Sequence, residues 1–223
     1  MFATNCWVVA PAAGEECFVV DPGIANPDAT RALEEILTRH RLKPVAVIAT
    51  HGHLDHTFSI GPVCGAKGIP AYIHSADREL LAHPERAFSA DGPLSELFAG
   101  LTFTEPDEVH ELVDGSRLSL AGLDIVIDHA PGHTLGSILI RLPEAEPAVM
   151  TGDVLFAGSI GRTDLPTGSA SAMRMSLRTK ILTLTDDYLV LPGHGGRTTI
   201  GAERVTNPYL ASLGSDRDDS FSQ

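Results

Sequence analysis

Cysteine is scarce and unpatterned: Cys6, Cys17 and Cys64 are the only three in 223 residues, with no CxxC spacing among them. An odd, scattered set argues against a disulfide framework. Cys6 and Cys17 lie in apolar, strand-like runs, where a cysteine is expected to be a small buried hydrophobe. Long apolar runs are also missing, none approaching the roughly 20 residues needed to cross a bilayer. The opening MFATNCWVVAPAAGEE has no basic segment, and its apolar run is too short for a signal peptide. The expectation is a cytoplasmic protein with no membrane partner. Basic residues are few, 16 against 29 acidic, and the net charge of −13 is spread along the chain. Such a field keeps a protein in solution and repels phosphate backbones, so no nucleic-acid partner is expected.

What is present suits an enzyme-sized core. Hydrophobic residues make up 43% and charged residues 20%, ordinary for one globular domain of this length. That domain is expected over residues 1–213, followed by a polar, frayed tail, GSDRDDSFSQ, over 214–223. Strands are expected at Asn5–Val9 and Cys17–Val20 around a turn at Gly14, the second stopped by Asp21-Pro22-Gly23. Asn26-Pro27 reads as a helix cap, with Leu33, Ile36, Leu37 and His40 recurring behind it at helical spacing. Val45–Ala49 is a β-branched strand running into Thr50-His51-Gly52-His53, and a further helix is expected from about His56.

Later strands are expected at Ala71–Ile73, His110–Val113, Arg117–Leu120, Leu123–Asp128, Ser137–Leu142, Ala148–Thr151 and Tyr188–Leu191. Asp114-Gly115 has hairpin chemistry. Met173, Leu177 and Ile181 mark one helix face. The proline-broken stretch His83–Asp107 reads as a partly helical excursion able to cover a site. Strand, helix and strand in alternation point to an α/β fold.

Strand ends carry the chemistry. THGHLDH puts His51, His53, Asp55 and His56 within six residues on a loop, where several side chains can converge on one point. Imidazole nitrogen with carboxylate oxygen suits zinc, iron or manganese rather than calcium or magnesium alone. His133 in APGHT, Asp153 in TGD and His194 in LPGHG each follow a small residue that permits close backbone approach. His40, His74, His83, His110 and His129 fall outside this pattern and are read as ordinary surface or core histidines, with His129 near enough to His133 to support it.

HxHxDH followed by a lone His, a lone Asp and a final His resembles the metallo-β-lactamase superfamily over nearly the whole chain. The resemblance implies an α/β fold, a four-layer αβ/βα sandwich with metals at one edge between two sheets. It implies two divalent metal ions, zinc first, with iron or manganese also suited. His51, His53 and His133 would hold one, Asp55, His56 and His194 the second, and Asp153 would bridge. Asp21 matches the family's first motif, where the aspartate supports ligands rather than binding metal. A shared hydroxide would attack a carbonyl carbon, with Asp55 orienting it or accepting a proton.

Aspartate at position 153 argues against true β-lactamases, and 223 residues leave no room for RNA-processing insertions. GDVLFAGSIGRTDLP, residues 152–166, resembles the compact, single-domain glyoxalase II-like proteins of bacteria, and TNPYL near the end is similar to the NPF-type segment close to the C-terminus of longer relatives. That implies hydrolysis of a small-molecule thioester, an S-2-hydroxyacyl derivative of a low-molecular-weight thiol. Arg162 falls where a basic residue of that branch meets the thiol's carboxylates, and Asp164 is its other natural partner. The helical C-terminal region of larger glyoxalase II enzymes is lacking, so glutathione itself is less well supported than the thioester. An alternative is an Fe(II)-dependent persulfide dioxygenase, which shares most of these motifs. The sequence leaves the oligomeric state open.

Overall fold

A computed structural model describes residues 3–24, 29–88, 103–143 and 146–215. Strand alternation decides its layers. Strands β1 (Trp7–Val9), β2 (Glu16–Val20), β3 (Lys43–Ile48), β4 (Ala71–His74) and β5 (Val109–Leu112) form one sheet in that order. It is parallel from β2 to β5 and antiparallel at β1. Strands β6 (Arg117–Leu120), β7 (Leu123–His129), β8 (Ile138–Leu142), β9 (Ala148–Gly152), β10 (Leu189–Pro192) and β11 (Thr198–Thr199) form the second in sequence order. Only its β9–β10 pair is parallel.

In β2 and β3, Phe18, Val20, Ala46 and Ile48 face the second sheet, meeting Ile125, Ile127, Ile138, Ile140 and Met150. Their neighbours Cys17, Val19, Val47 and Ala49 face outward onto helices α1 (Ala29–His40) and α3 (Ile60–Lys67). Across the sandwich, Leu139, Val149 and Val190 face α4 (Ala170–Ser176), α5 (Ile200–Thr206) and α6 (Pro208–Ser215). Period-two alternation therefore feeds three apolar seams from two sheets, which yields the four-layer αβ/βα order. Each fully buried Ile or Leu in these seams contributes roughly 1.5–3 kcal/mol.

Every expected strand is observed within two residues, and β11 is unexpected, but pairing does not always follow. Asp114-Gly115 makes its turn, with Gly115 at φ 79° and Ser116 N donating to Val113 O at 3.1 Å. No hairpin results, because β5 pairs with β4 and β6 with β7. The turn carries the chain between sheets, since Leu112, Leu118 and Leu120 all pack into the seam between them. The helix expected from His56 starts at Leu54 as the short α2 (Leu54–Thr57). Among the described side chains of α1 only Leu33 and Leu37 are buried, while Ile36 and His40 face solvent. Cys17 and Cys64 are buried but Cys6 is exposed, at the open edge before β1. Met173, Leu177 and Ile181 do share a buried face, but a π-helical turn, Leu177–Ile181, follows α4. A spacing of four drifts about 40° per step on a 3.6-residue helix, and an i→i+5 turn takes that drift back. Helix α6 continues through Ser215, past the expected boundary at 213. The Asn26-Pro27 cap, most of the tail and residues 89–102 of the expected excursion lie outside the described residues. Among the described residues, no helix is long and apolar enough to cross a membrane.

Candidate metal centre

Four strand ends, those of β3, β7, β9 and β10, deliver side chains at one edge of the sandwich, where the open rim of an α/β sheet ordinarily binds its ligand. After β3, Thr50 and the α2 turn deliver His51, His53, Asp55 and His56. After β7 comes His133, after β9 Asp153, and after β10 His194. These seven fall into three overlapping groups, each compact enough for one ion: His51–His53–His133, His51–His56–Asp153 and Asp55–His56–His194. His53 Nδ1 lies 2.8 Å from His133 Nε2, and His56 Nε2 lies 3.3 Å from His194 Nε2. The Asp153 carboxylate stands between them, 3.4 Å from His133 Nε2 and from His194 Nε2 through Oδ2, and 3.4 Å from His56 Nε2 through Oδ1.

The outward ring nitrogens decide which nitrogen faces the cluster. His56 Nδ1 contacts Asp21 Oδ2 at 2.8 Å, His133 Nδ1 the Arg162 carbonyl at 2.8 Å, and His194 Nδ1 the Ala3 carbonyl at 3.0 Å. Those oxygens accept only, so each Nδ1 carries the proton and each Nε2 turns inward. Thr50 donates its hydroxyl to Asp21 Oδ2 at 2.6 Å, which leaves Thr50 Oγ1 to accept from His51 Nδ1 at 3.1 Å. His51 Nε2 and Asp153 Oδ1 are then buried with no hydrogen-bond partner. Buried polar atoms are rarely left so. A ring of inward lone pairs with orphaned members fits a cation at its centre.

Charge follows the same arrangement. Burial, with repulsion from neighbouring imidazoles, holds His51 well below its usual range and His53 down to about 3. Burial likewise lowers His133. Burial opposes charge on His56, but Asp21 and then Asp153 outweigh it and raise the imidazole well above its usual range. Contacts with Asp153 and Asp55 lift His194 to about 10. Burial works to raise Asp153, yet His56 and His194 keep it well below the carboxylate range.

Glycines permit this crowding. A Cβ on Gly193 would overlap Asp153 Oδ1 and come within 2.7 Å of His56 Cε1. One on Gly161 would collide with the Asp153 carbonyl and stand 3.1 Å from His133 Nδ1.

The metallo-beta-lactamase superfamily model matches residues 1–194, which span every one of these seven side chains. The chain belongs to the metallo-beta-lactamase superfamily. It is 44% identical to the uncharacterized protein Rv2581c of Mycobacterium tuberculosis, over 96% of this chain and 95% of that one. It is 36% identical to hydroxyacylglutathione hydrolase GloC of Haemophilus influenzae, over 87% of each. Among solved structures, the BLEG-1 B3 metallo-beta-lactamase matches with a TM-score of 0.78 and 33% identity, covering 94% of this chain and 95% of that one. TTHA1623, solved in a di-iron-bound form, matches at 0.76 and 34%, covering 93% and 95%. Membership of this metallo-hydrolase superfamily makes the chain a metal-dependent hydrolase whose fold binds divalent metals.

Within that superfamily frame, the remaining expectations divide. Asp21 supports His56 and takes the Thr50 amide and hydroxyl, at 2.8 and 2.6 Å, without joining the cluster. Arg162 turns its guanidinium to Asp164, at 2.7 and 2.8 Å, both exposed, and reaches the centre only through its carbonyl. His129 stacks on His74 at 4.0 Å and contacts the Leu135 carbonyl, so it does not support His133. His83 and His110 sit at the surface beside Glu85 and Glu108. At the start of the expected covering segment, Phe88 stacks over His53 at 5.7 Å. Sequence reasoning missed Thr50, quoted within its motif but given no role, and Asp77, a fully buried carboxylate.

Proposed function

We propose that this chain is a dinuclear hydrolase of thioesters, acting on S-2-hydroxyacyl derivatives of a low-molecular-weight thiol. The carrying observation is the doubled, overlapping set of inward donors. His51, His53 and His133 would hold one divalent ion, Asp55, His56 and His194 the other, with Asp153 shared. Zinc is the first choice, with iron and manganese suited by the same donors. When bound, such ions supply Lewis acidity and make a water acidic enough to ionise near neutral pH.

The chain's own residues do the rest. The imidazoles of the first group have almost no solvent contact, whereas Asp55 and His194 retain some. Substrate therefore approaches over Asp55, His194 and the adjacent ring of Phe156, 6.0 Å from His194. Asp55 Oδ2, held 3.3 Å from the Thr4 hydroxyl and 3.3 Å from His194 Nε2, is the group placed to take a proton. Phe88 shields the far side over His53 from water. The thioester preference draws on the relative named a hydroxyacylglutathione hydrolase, and Arg162 is proposed to meet the thiol's carboxylate. A single domain whose last helix runs through Ser215, and a cytoplasmic setting, belong to the same proposal.

Protein purified without chelator should carry close to two metals per chain and release thiol from S-lactoylglutathione. Hydrolysis of a chromogenic cephalosporin without thiol release would replace the thioester with a β-lactam. One iron per chain, with oxygen uptake on a persulfide and no thiol release, would replace hydrolysis with persulfide oxidation.

A further inference from the structure

Asp77 lies in the helical turn Ser75–Leu81 after β4, outside every motif discussed above, and its side chain is fully buried. Among the described residues, the hydrogen bonds to its carboxylate come from the two loops that carry the first group of imidazoles. Oδ2 accepts from Gly52 N, between His51 and His53, at 2.8 Å, and from the Thr134 hydroxyl, beside His133, at 2.6 Å. Oδ1 accepts from Gly136 N at 2.7 Å. Ser137 extends the chain, its hydroxyl 2.8 Å from Thr134 Oγ1 and 3.0 Å from the Thr134 amide. The loops come from opposite sheets, with His53 and His133 80 residues apart in the chain.

The fit admits nothing larger. A Cβ on Gly136 would lie 2.6 Å from Asp77 Cγ, and one on Gly52 would lie 2.6 Å from Leu80 and 3.1 Å from Asp77 Cβ. Two amides and a hydroxyl all donate, so the clasp requires an acceptor on both oxygens. A carboxylate meets that need, whereas an amide turns one N–H group against a donor. The same three donors offset part of the cost of burying this charge.

We infer that Asp77 is a positioning residue that holds the His51–His53 loop and the His133 loop in register, setting the affinity of the first metal position. It touches none of the seven donors' ring or carboxylate atoms and acts through the backbone on either side of them. The inference rests on the dinuclear reading above.

The test is a stepwise zinc titration of the metal-stripped protein against a competing chelator, with near-ultraviolet circular dichroism recorded on each sample. His133→Ala and His194→Ala assign the two steps. In Asp77→Ala and Asp77→Asn the step lost in His133→Ala should weaken by about 10–100-fold. The other step should stay within about threefold, because Asp77 bonds to none of its donors. Adding Asp77→Ala to His133→Ala should cost nothing more at the remaining step. Thr134→Val, which removes one donor and keeps the shape, should weaken the same step by a smaller factor and serves if the Asp77 variants do not fold. Wild-type affinity at both steps in folded variants, or equal loss at both, would overturn the role of Asp77. A wild-type protein that binds no zinc would overturn the dinuclear reading itself.

Discussion

The two halves of the centre are built from similar donors yet differ in wetness and charge. His51, His53 and His133 are 1%, 4% and 3% exposed, and every donor is an imidazole whose proton affinity is suppressed. In the other half the side chains of Asp55 and His194 are 17% and 31% exposed, and His56 and His194 bind protons more tightly than usual. The dry half is a set of neutral lone pairs held from outside by Asp77, Thr50 and the Arg162 carbonyl. The open half is a salt-bridged cluster that keeps protons until a stronger cation arrives. Affinity and access are thereby divided: one half is made to hold, the other to hold and admit substrate.

The sharpest way to break this division is at the shared residue. Asp153→Ala should remove donors from both halves, leaving no tightly bound metal and lowering thioester hydrolysis by about a thousandfold or more, about 4 kcal/mol. Metal analysis beside kinetics checks it. Survival of one tight metal would mean that the halves do not share Asp153.

Asp21→Asn should act through His56 and so on the open half, weakening its metal by about 10–100-fold and loosening the Thr50 turn. It is the counterpart of Asp77 in the dry half. The competition titration should show Asp21→Asn weakening mainly the open half's step, with a smaller loss in the dry half because Thr50 also holds His51, and Asp77→Ala weakening the dry half's step.

Proton release sharpens the contrast further. His194, raised to about 10, is protonated at neutral pH in the metal-free protein and must lose that proton to bind. Metal affinity of the open half should therefore rise as pH increases toward 10 and fall by at least about tenfold per unit below it, more steeply where His56 also gives up a proton. His53, lowered to about 3, is already neutral, so affinity of the dry half should be insensitive to His53 protonation well into the acidic range. Zinc titrations of weakly buffered protein, read by pH change, should show protons released mainly in the second step. Equal release in both steps would break the distinction.

Arg162→Ala should have the smallest effect. Its guanidinium already holds a carboxylate at an exposed pair, where such interactions are weak, so KM should rise by no more than about threefold with kcat unchanged. A drop in kcat would place Arg162 in the chemistry.

Much of this centre is legible in the sequence because ligand residues cluster where strands end. Four donors of THGHLDH are adjacent in the chain, and His133, Asp153 and His194 each follow a recognisable apolar run. The strands are legible for the same reason, since alternation records which face is buried. Pairing is less legible: Asp114-Gly115 has the local chemistry of a hairpin, and only the burial of Leu112 with Leu118 and Leu120 shows that it joins two sheets. Asp77 was hidden because nothing in the SADREL stretch marks its aspartate as buried. Its partners Gly52 and Gly136 are 25 and 59 residues away. Distant contacts of that kind leave no periodic trace in a single sequence.

Anomalous diffraction from a crystal of the zinc-loaded protein tests the central claim most directly. The account predicts two peaks, one within bonding distance of His51, His53 and His133 and one of Asp55, His56 and His194, with the Asp153 carboxylate between them. A single peak, or a second one away from the Asp55–His56–His194 group, would contradict it.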